Sequence, residues 1–478
     1  MRKFDTQVQQ LKYKVLKEVA KESFNGTLLQ NITDIPKKIV PTGEPTFRCC
    51  VYKERAIVSE RIKVAMGGDS QNPNVIEVIT IACDECPQGG YEVTNACRGC
   101  IAHHCEASCK RGAITFDENK KAHIDKSKCV ECGMCAKVCP YSAIHNFKRP
   151  CESSCKINAI GMDENKAAKV DNDKCISCGA CVNTCPFGSI TQKSFILNVI
   201  DLLKQTQKNP DLKIYAVVAP AIASQFSWAS LGQVVTGIKQ LGFYNVVEAA
   251  LGADMVAYTE AQELLEKGLL TSSCCPAFVD YIHKYYPELT GYISHNNSPM
   301  VEIAKYIKSK DSNAKVVFIG PCTAKKMEFQ KESTGGAVDC VMTFEELQAL
   351  FGAKDIDLTT LEPDNLDNAS EYGRIFARSG GLVEAVRESV IELGEDPEKF
   401  KPVIGNGIEE CKMALLRLSK NLLNGNFIEG MACQGGCING AGCLTHNAKS
   451  KIQVDSFSKE ASVKTIKTSI ESADIKAK

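Results

Sequence analysis

Residues 129–140 read CVECGMCAKVCP, and residues 175–186 read CISCGACVNTCP. Both segments have the spacing Cys-x2-Cys-x2-Cys-x3-Cys-Pro, in which three close thiolates bind one 4Fe–4S cluster and the fourth binds a neighbouring cluster. Soft thiolate ligands suit iron–sulfur clusters better than they suit cations that prefer oxygen. Structural zinc is the alternative, but zinc sites rarely need four cysteines in this nested spacing. The two segments therefore predict small α+β domains built around 4Fe–4S clusters.

The same segments belong to an internal repeat. The hexapeptides CKRGAI, CPYSAI, CKINAI and CPFGSI begin at residues 109, 139, 155 and 185. If the fourth ligand is exchanged between neighbouring runs, three clusters are held by Cys97, Cys100, Cys105 and Cys139, by Cys109, Cys129, Cys132 and Cys135, and by Cys155, Cys175, Cys178 and Cys181. Cys83, Cys86, Cys151 and Cys185 remain, and we assign them by elimination to a fourth 4Fe–4S cluster.

Cysteine content separates this chain from most functional classes. It has 478 residues and 26 cysteines, and sixteen of these lie between residues 83 and 185. So long a chain without a secretory signal is expected to keep its thiols reduced, which predicts metal binding in the cytoplasm and not a disulfide scaffold. Lys+Arg and Asp+Glu are both 57, so no nucleic-acid partner is expected. No apolar stretch is long enough to predict a membrane span.

The second half of the chain has the alternating pattern of an α/β domain. Short apolar runs at residues 213–220, 314–322 and 426–433 predict buried strands, and helical patterns occupy 229–241, 254–267, 298–309, 343–352 and 380–393. Residues 190–206 predict a connecting helix, and the N-terminus predicts an amphipathic helix. The predicted divisions are 1–80, a helical or irregular region; 81–150, a two-cluster ferredoxin-like domain; 151–190, a second cluster unit; 191–445, the α/β domain; and 446–478, a partly helical tail that frays at its end.

Three short motifs in the α/β domain carry the chemistry. They are TSSCCPAF at residues 271–278, GPCTAKK at 320–326 and EGMACQGGCING at 429–440. Together they supply four or five thiolates on loops at strand ends, where sites of α/β domains usually lie. In this order, and behind ferredoxin-like clusters, the motifs resemble those of the FeFe-hydrogenases over roughly residues 190–445.

The resemblance implies a specific set of site residues. Cys275, Cys322, Cys433 and Cys437 would hold a 4Fe–4S cubane, and Cys437 would also bridge to a two-iron subsite that carries CO, cyanide and an azadithiolate. Lys325 would hydrogen-bond a cyanide, and Met431 and Phe376 would pack at the site. Cys274, Glu260, Ser294 and Glu263 would form a proton path, for which buried carboxylates of raised pKa are suited. A solvated helix face is the alternative for Glu260 and Glu263.

The resemblance also implies an activity and partners. The expected reaction is the reversible reduction of protons to H2, with ferredoxin as electron carrier, maturation proteins that install the two-iron subsite, and a monomeric chain. Departures from the commoner family residues are typical of the group B subgroup: Ala221, Ala277, Phe278, Met300, Gly320 and Gln434. The alternatives are a hydrogen-sensing regulator and a non-catalytic iron–sulfur protein of the prelamin-recognition type.

Five cysteines have no place in these motifs. Cys49 and Cys50 are adjacent, which is poor geometry for ligands of one cluster, and Cys340, Cys411 and Cys443 stand apart from the signature segments. We expect all five to be buried free thiols, since cysteine often behaves as a small core residue.

Overall fold

The N-terminal region is a small helical unit. The computed structural model describes residues 4–87 and 89–473. The helices of this region are α1 (Gln7–Asn25), α2 (Leu28–Asn31), α3 (Ile35–Ile39) and α4 (Val51–Ala65). Thr6 caps the start of α1, and Gly26 ends it in the left-handed conformation that glycine adopts readily. Val15 and Val19 of α1 pack against Val58 and Ile62 of α4 in one small core, which confirms the predicted amphipathic helix.

The cysteine-rich region consists of short hairpins and single helical turns. Its strands are β1 (Ile76–Val78), β2 (Gly90–Val93), β3 (Ile114–Phe116), β4 (Ala122–Ile124), β5 (Ile144–Phe147), β6 (Ile160–Met162), β7 (Ala168–Val170) and β8 (Ile190–Gln192). Its helices are α5 (His104–Ala107), α6 (Met134–Val138), α7 (Pro150–Ser154) and α8 (Ala180–Thr184). The antiparallel pairs are β1 with β8, β2 with β5, β3 with β4 and β6 with β7.

The internal repeat is visible in the backbone of this region. In all four hexapeptides the residue three positions after the cysteine has a positive φ: Gly112 (58°), Ser142 (47°), Asn158 (53°) and Gly188 (59°). This turn brings the next N–H back to the thiol in three copies, from Ala113, Ala143 and Ala159 to the sulfurs of Cys109, Cys139 and Cys155, at 3.3, 3.4 and 3.2 Å. Backbone N–H groups aimed at sulfur stabilise a thiolate, as cluster ligation requires.

The α/β domain contains two parallel sheets. Its strands are β9 (Ile214–Val218), β10 (Asn245–Glu248), β11 (Leu270–Thr271), β12 (Lys315–Gly320), β13 (Cys340–Thr343), β14 (Pro402–Asn406) and β15 (Phe427–Met431). One sheet has the order β10-β9-β12-β13 and the other β11-β15-β14. The central strands β9 and β15 are buried along their whole length, as expected for parallel strands covered on both faces.

Helices cover these sheets. They are α9 (Ile196–Lys208), α10 (Leu231–Gln240), α11 (Ala249–Lys267), α12 (Pro276–Tyr285), α13 (Pro299–Lys310), α14 (Thr323–Glu328), α15 (Phe344–Ala353), α16 (Glu371–Ile375), α17 (Gly381–Glu392), α18 (Ile408–Ser419), α19 (Ser450–Lys459) and α20 (Ile466–Glu471). All three predicted strands and all five predicted helices are present, with small shifts at their ends. The connecting helix predicted over 190–206 is wrong at its start, because residues 190–192 pair with β1 as strand β8 and α9 begins only at Ile196.

The C-terminal segment folds back onto the α/β domain. Arg374 of α16 packs over the Phe457 ring of α19 at 4.1 Å, and Ser469 of α20 donates a hydrogen bond to Asp254 of α11. The predicted fraying at residues 474–478 lies outside the described residues. None of the helices in the described part of the chain combines the length and the apolar character that crossing a bilayer requires.

The structure corrects one expectation about the unassigned cysteines. Cys340, Cys411 and Cys443 are buried, as predicted, but Cys49 is exposed and Cys50 is partly exposed. Cys50 is the N-cap of α4, and its sulfur accepts a hydrogen bond from the Lys53 N–H. A thiol that caps a helix at the surface cannot also pack into a core.

Candidate active site

Three cysteine motifs meet at the carboxyl ends of parallel strands. Cys274 and Cys275 follow β11, Cys322 follows β12, and Cys433 and Cys437 follow β15. Because β11 pairs with β15 in register, Thr271 lies opposite Ile428, and the loops after both strands leave the same sheet edge. Cys275 and Cys322 are also the residues that precede the first turns of α12 and α14. The fold thus gathers residues from distant parts of the sequence at a strand-end site.

The four predicted cubane ligands lie close enough to influence one another. Burial, together with the charge of Cys275, raises the pKa of the Cys322 thiol to about 11. The pKa of Cys437 rises to about 12 for the same reason, with Cys322 and Cys275 as its charged neighbours. Buried thiols that repel one another's charge must bind a cation or stay protonated. A positively charged iron–sulfur core supplies that cation.

Between Cys433 and Cys437, the backbone leaves little room for a side chain at Gly435 and Gly436. Gly435 and Gly436 have φ values of 84° and 92°, in the region that glycine tolerates best. A Cβ atom on Gly436 would lie 2.6 Å from the Ser379 nitrogen and 2.9 Å from the Ala377 oxygen. The two glycines therefore let this loop approach the segment after Phe376, and they bring the two cysteines around one space.

Lys325, Met431 and Phe376 are buried at this site. The Lys325 ammonium group donates to the Cys274 carbonyl oxygen at 3.3 Å and pairs with Glu328 at 2.8 Å. Burial is the largest single effect on the pKa of Lys325 and would lower it, but the attractions of Glu328, Cys322 and Cys274 together raise it, so the side chain stays charged. Its amine is therefore a charged hydrogen-bond donor beside Cys274, as the resemblance implied. Its ion pair with Glu328 was not foreseen.

Two separate sets of hydrogen bonds lie along the predicted proton path, one at Glu263 and one at Glu260. The partly exposed Glu263 accepts from the Ser294 hydroxyl at 2.8 Å and from Lys267 at 2.6 Å. The fully buried Glu260 accepts from both the N–H and the hydroxyl of Ser273, at 3.0 and 3.1 Å. Ser273 immediately precedes Cys274 in the chain. The structure thus brings together the residues of the predicted proton path and excludes a solvated helix face for Glu260.

The two carboxylates differ in acidity because their surroundings differ. Burial raises the pKa of Glu260 to about 7, against the lowering effect of hydrogen bonds from Ser273 and of the nearby Ser294 hydroxyl. For Glu263 burial acts in the same direction, but hydrogen bonds from Lys267 and Ser294 outweigh it and lower the pKa. An inner carboxyl that exchanges protons near neutral pH behind an ionised outer carboxylate suits a proton relay. One oxygen of Glu260, Oε2, has no hydrogen-bond partner and is free to accept a proton.

Sequence reasoning missed two polar residues at the site. Ser273 joins Glu260 to the cysteine loop, and its only signal was its place in the TSSCC motif. Glu429, at the start of the third motif, is fully buried and accepts from the Gly380 and Val383 N–H groups at 2.6 and 2.9 Å. It fixes the N-terminus of α17 beside the site, and burial raises its pKa to about 7.

Most of the sixteen remaining predicted ligands have charged neighbours from their own predicted group. Charge repulsion adds to burial in raising the pKa of Cys105, from Cys100 and Cys139, and of Cys135, from Cys129 and Cys109. The pKa of Cys181 is raised in the same way by the charges of Cys178, Cys175 and Cys155. The members of the group assigned by elimination also lie near one another. The charges of Cys83 and Cys185 add to burial in raising the pKa of Cys86, and burial and the same two thiols raise the pKa of Cys151 to about 11.

The third group adjoins the active site. The pKa of Cys178, about 12, is raised mainly by burial and also by the charge of Cys275. Cys155, Cys178 and Cys433 line one cavity of about 490 Å³. The Thr323 hydroxyl, beside Cys322, donates to the Ser177 carbonyl oxygen at 2.8 Å and ties the two units together. A cluster in this group would therefore be the neighbour of the active-site cubane.

The cysteine groups fit clusters and not single ions. In the described residues, no three His, Cys, Asp or Glu side chains are placed to hold one metal ion. Ligands of a cubane bind different iron atoms and therefore stand farther apart than ligands of a single ion. All four ligands in each predicted group are cysteine thiolates, which are the usual ligands of 4Fe–4S clusters.

Three protein families match parts of the chain. Residues 212–441 match the iron only hydrogenase large subunit, C-terminal domain. Residues 96–143 match the 4Fe-4S dicluster domain, and residues 146–196 match the LdpA Fe-S cluster-binding domain. The family matches thus bear out an iron–sulfur protein with an α/β domain behind ferredoxin-like cluster domains.

Individual proteins are similar over larger parts of the chain. Iron hydrogenase 1 of Clostridium pasteurianum is 30% identical over 55% of this chain and 56% of its own length, so the chain spans little more than half of that relative. A cytosolic Fe-S cluster assembly factor of Xenopus tropicalis is 25% identical over 53% of this chain and 67% of its own. Among solved structures, an FeFe-hydrogenase of Chlamydomonas reinhardtii aligns with a TM-score of 0.47 and 21% identity, over 57% of this chain and 93% of that one.

One relative matches over most of its own length. The periplasmic Fe hydrogenase large subunit of Nitratidesulfovibrio vulgaris is 30% identical over 67% of this chain and 85% of its own length. The alignment is 378 residues long, more than the catalytic-domain match alone. The chain is therefore a member of the iron-only hydrogenase large-subunit family.

Proposed function

We propose that this protein catalyses the reversible reduction of protons to H2. The observation that carries the proposal is the buried Glu260, which is hydrogen-bonded to Ser273 next to Cys274 and lies near the Glu263–Ser294 pair. A buried carboxyl between a partly exposed carboxylate and a buried thiol, beside four gathered cysteines, suits proton transfer to that site.

The chain's residues have defined tasks in this proposal. Cys275, Cys322, Cys433 and Cys437 would hold a 4Fe–4S cubane, and Cys437 would bridge it to a two-iron subsite with CO, cyanide and azadithiolate ligands. That group would supply the redox chemistry. Glu263 takes up a proton at the surface, Glu260 and Cys274 pass it inward, and Lys325 keeps a positive charge at the site. Met431 and Phe376 exclude water.

Electrons would enter through the cysteine-rich region, and we infer that the carrier is a ferredoxin in the cytoplasm. Cys132, in the second predicted cluster, is exposed. The apolar side chains of Ile101, Val130 and Tyr141 are exposed in the same region, which suits a transient docking surface. The four accessory clusters would relay electrons to the active site, and maturation proteins would install the two-iron subsite. In this proposal the protein acts as a monomer and belongs to the group B subgroup.

A second candidate is a role in iron–sulfur cluster assembly without hydrogen chemistry, which the similarity to the assembly factor favours. The deciding experiment matures the purified protein anaerobically with the two-iron cofactor, and then records infrared bands of CO and cyanide together with H2 evolution from reduced methyl viologen. Bands and evolution that collapses in Cys274→Ala are expected. Cubanes without these bands would contradict the hydrogenase proposal and favour the assembly role, whereas bands with very slow turnover would favour a hydrogen sensor.

A further inference from the structure

A second cavity lies away from the active site, between the N-terminal helices and the last cysteine loop. It has a volume of about 490 Å³ and is bounded by α1, by α4 and by the Pro186–Phe187 turn. This is within the usual size range of small-molecule sites, about 300–1,000 Å³. Its walls are about half apolar, with Leu11, Ile39 and Phe47 among the apolar side chains.

The polar groups of this cavity are cationic. Lys14, Arg48 and Arg61 line it, and no aspartate or glutamate is among the described residues that do so. Arg48 has carboxylates only at 3.7 Å or more, from Asp84 and Glu85, which are themselves partly exposed. Arg48 is thus only loosely paired, and an anion in the cavity would meet the positive charge of Lys14, Arg48 and Arg61.

Both arginines have unused hydrogen-bonding capacity. Arg61 is 5% exposed, and it donates through Nη2 to the Phe187 carbonyl oxygen at 3.0 Å, but its Nε–H has no partner. Arg48 donates through Nη2 to the Ala82 carbonyl oxygen at 2.8 Å, and its Nε–H is equally without a partner. Guanidinium groups that line a cavity are common recognition elements for phosphate oxygens.

The aromatic wall indicates what else the ligand carries. Phe47 and Phe187 both border the cavity, and the Arg48 guanidinium lies over the Phe187 ring at 4.8 Å. A planar ring would stack on these surfaces, because aromatic faces favour offset stacking with other rings. We propose that the cavity binds an aromatic phosphate of mononucleotide size, with the phosphate toward Arg48, Arg61 and Lys14 and the ring toward Phe47.

The test uses flavin mononucleotide as probe and the full-length, anaerobically purified protein. Isothermal titration at about 0.15 M salt, where surface charges are screened beyond about 8 Å, measures the affinity for flavin mononucleotide, for riboflavin and for AMP. Saturable binding with a Kd on the order of micromolar is expected for flavin mononucleotide, with riboflavin at least about tenfold weaker because it lacks the phosphate.

Two variants of α1 locate the site. Lys14→Glu reverses a charge at the cavity and is expected to weaken binding about tenfold, whereas Lys21→Glu makes the same change on the same helix outside the cavity and leaves the affinity unchanged. Both lysines are exposed, so neither variant should disturb folding, and unchanged cluster absorbance verifies this. Absence of binding by both phosphates, equal affinity for riboflavin, or equal effects of the two variants would overturn the proposal. None of these outcomes depends on hydrogen chemistry.

Discussion

Glu260 accepts two hydrogen bonds from Ser273, the residue directly before Cys274, while its second oxygen is buried without a partner. One carboxylate oxygen is thus fixed toward the cysteine loop, and the other is available for a proton. This arrangement fixes the geometry of the inner step of the proposed proton route.

Glu260→Gln should slow H2 evolution by about 10²–10³-fold, because the amide keeps the shape and cannot relay a proton. The matched control is Glu266→Gln on the same helix, where the side chain is exposed and should leave activity unchanged. Activity is measured with reduced methyl viologen on protein matured with the two-iron cofactor. Infrared bands should stay the same in both variants. An active Glu260→Gln enzyme would remove this residue from the route.

Much of this site could be predicted from sequence because short motifs carry it. The pairs Cys274–Cys275 and Cys433–Cys437 are local patterns, and apolar runs predicted the strands that precede them. Ser273 and Glu429 were missed because a single serine or glutamate has no periodic signal, and only the fold shows that each is buried against a particular partner. The packing of α19 and α20 on the α/β domain was missed for the same reason, since periodicity identifies an apolar face and not what covers it.

The departures from the commoner family residues have a partial structural account. The Phe278 ring lies against Gly430 of β15, where any Cβ would be 2.2 Å from the ring. A Cβ on Gly320 would lie 2.5 Å from the Phe318 ring, so no larger residue fits before Pro321. At both positions a glycine packs closely against an aromatic ring, so a larger residue there would displace that ring.

Asp254 should make the protein less stable as the pH rises. It is fully buried, and burial raises its pKa from 3.8 to about 7, against the lowering effect of hydrogen bonds from Ser370 and Ser469. The native state therefore holds a proton that the unfolded state loses above about pH 4. Stability from this group is present below that pH and falls by up to about 1.4 kcal/mol per unit until the native carboxyl ionises near pH 7.

Asp254→Asn removes that dependence and can still accept from Ser370 and Ser469. The thermal midpoint of the wild type should fall more steeply between pH 5 and pH 7 than that of the variant. Some slope should persist, because Glu260 and Glu429 also have pKa values of about 7. Parallel pH profiles for the two proteins would show that Asp254 is ionised in the folded state throughout this range.

Arg374 and Glu248 form a buried ion pair with two hydrogen bonds, both at 2.8 Å. Arg374→Met should destabilise the protein by about 3–5 kcal/mol, because it leaves Glu248 buried without its partner. The double variant Arg374→Met, Glu248→Gln should recover part of that loss, since it removes the stranded charge as well. Thermal unfolding of the single and double variants measures the coupling. A double variant no more stable than the single one would mean that lost packing over Phe457 dominates.

The exposed cysteines should be the ones that react first with alkylating reagents. Cys49 is exposed, and Cys50 has a lowered pKa because hydrogen bonds, above all from the Lys53 backbone, stabilise its thiolate against the opposing effect of burial. Iodoacetamide added briefly to the folded, cluster-loaded protein should modify these two thiols, while Cys340, Cys411 and Cys443 stay unmodified until the protein unfolds. Peptide mass spectrometry reports each site. Early modification of Cys411 would mean that the sheet of β14 opens readily.

Iron content tests whether a fourth accessory cluster exists, with the ligands Cys83, Cys86, Cys151 and Cys185. Cys151→Ser should remove one cluster, so protein purified without the two-iron subsite should lose about four iron atoms from a total of about twenty. The matched control is Cys340→Ser, a buried thiol outside the groups, which should keep its full iron content. Iron and protein are quantified together, and EPR of the reduced samples shows whether one signal disappears.

The position of this cluster in the relay leads to a kinetic expectation. The charges of Cys155, from the third group, and of Cys151, from the fourth, both raise the pKa of Cys181, so the fourth cluster would lie next to the third. Its loss should therefore slow electron delivery from a protein carrier more than delivery from a small dye that reaches the inner clusters directly. An unchanged iron content would show that these four thiols hold no cluster, and that the relay has three members.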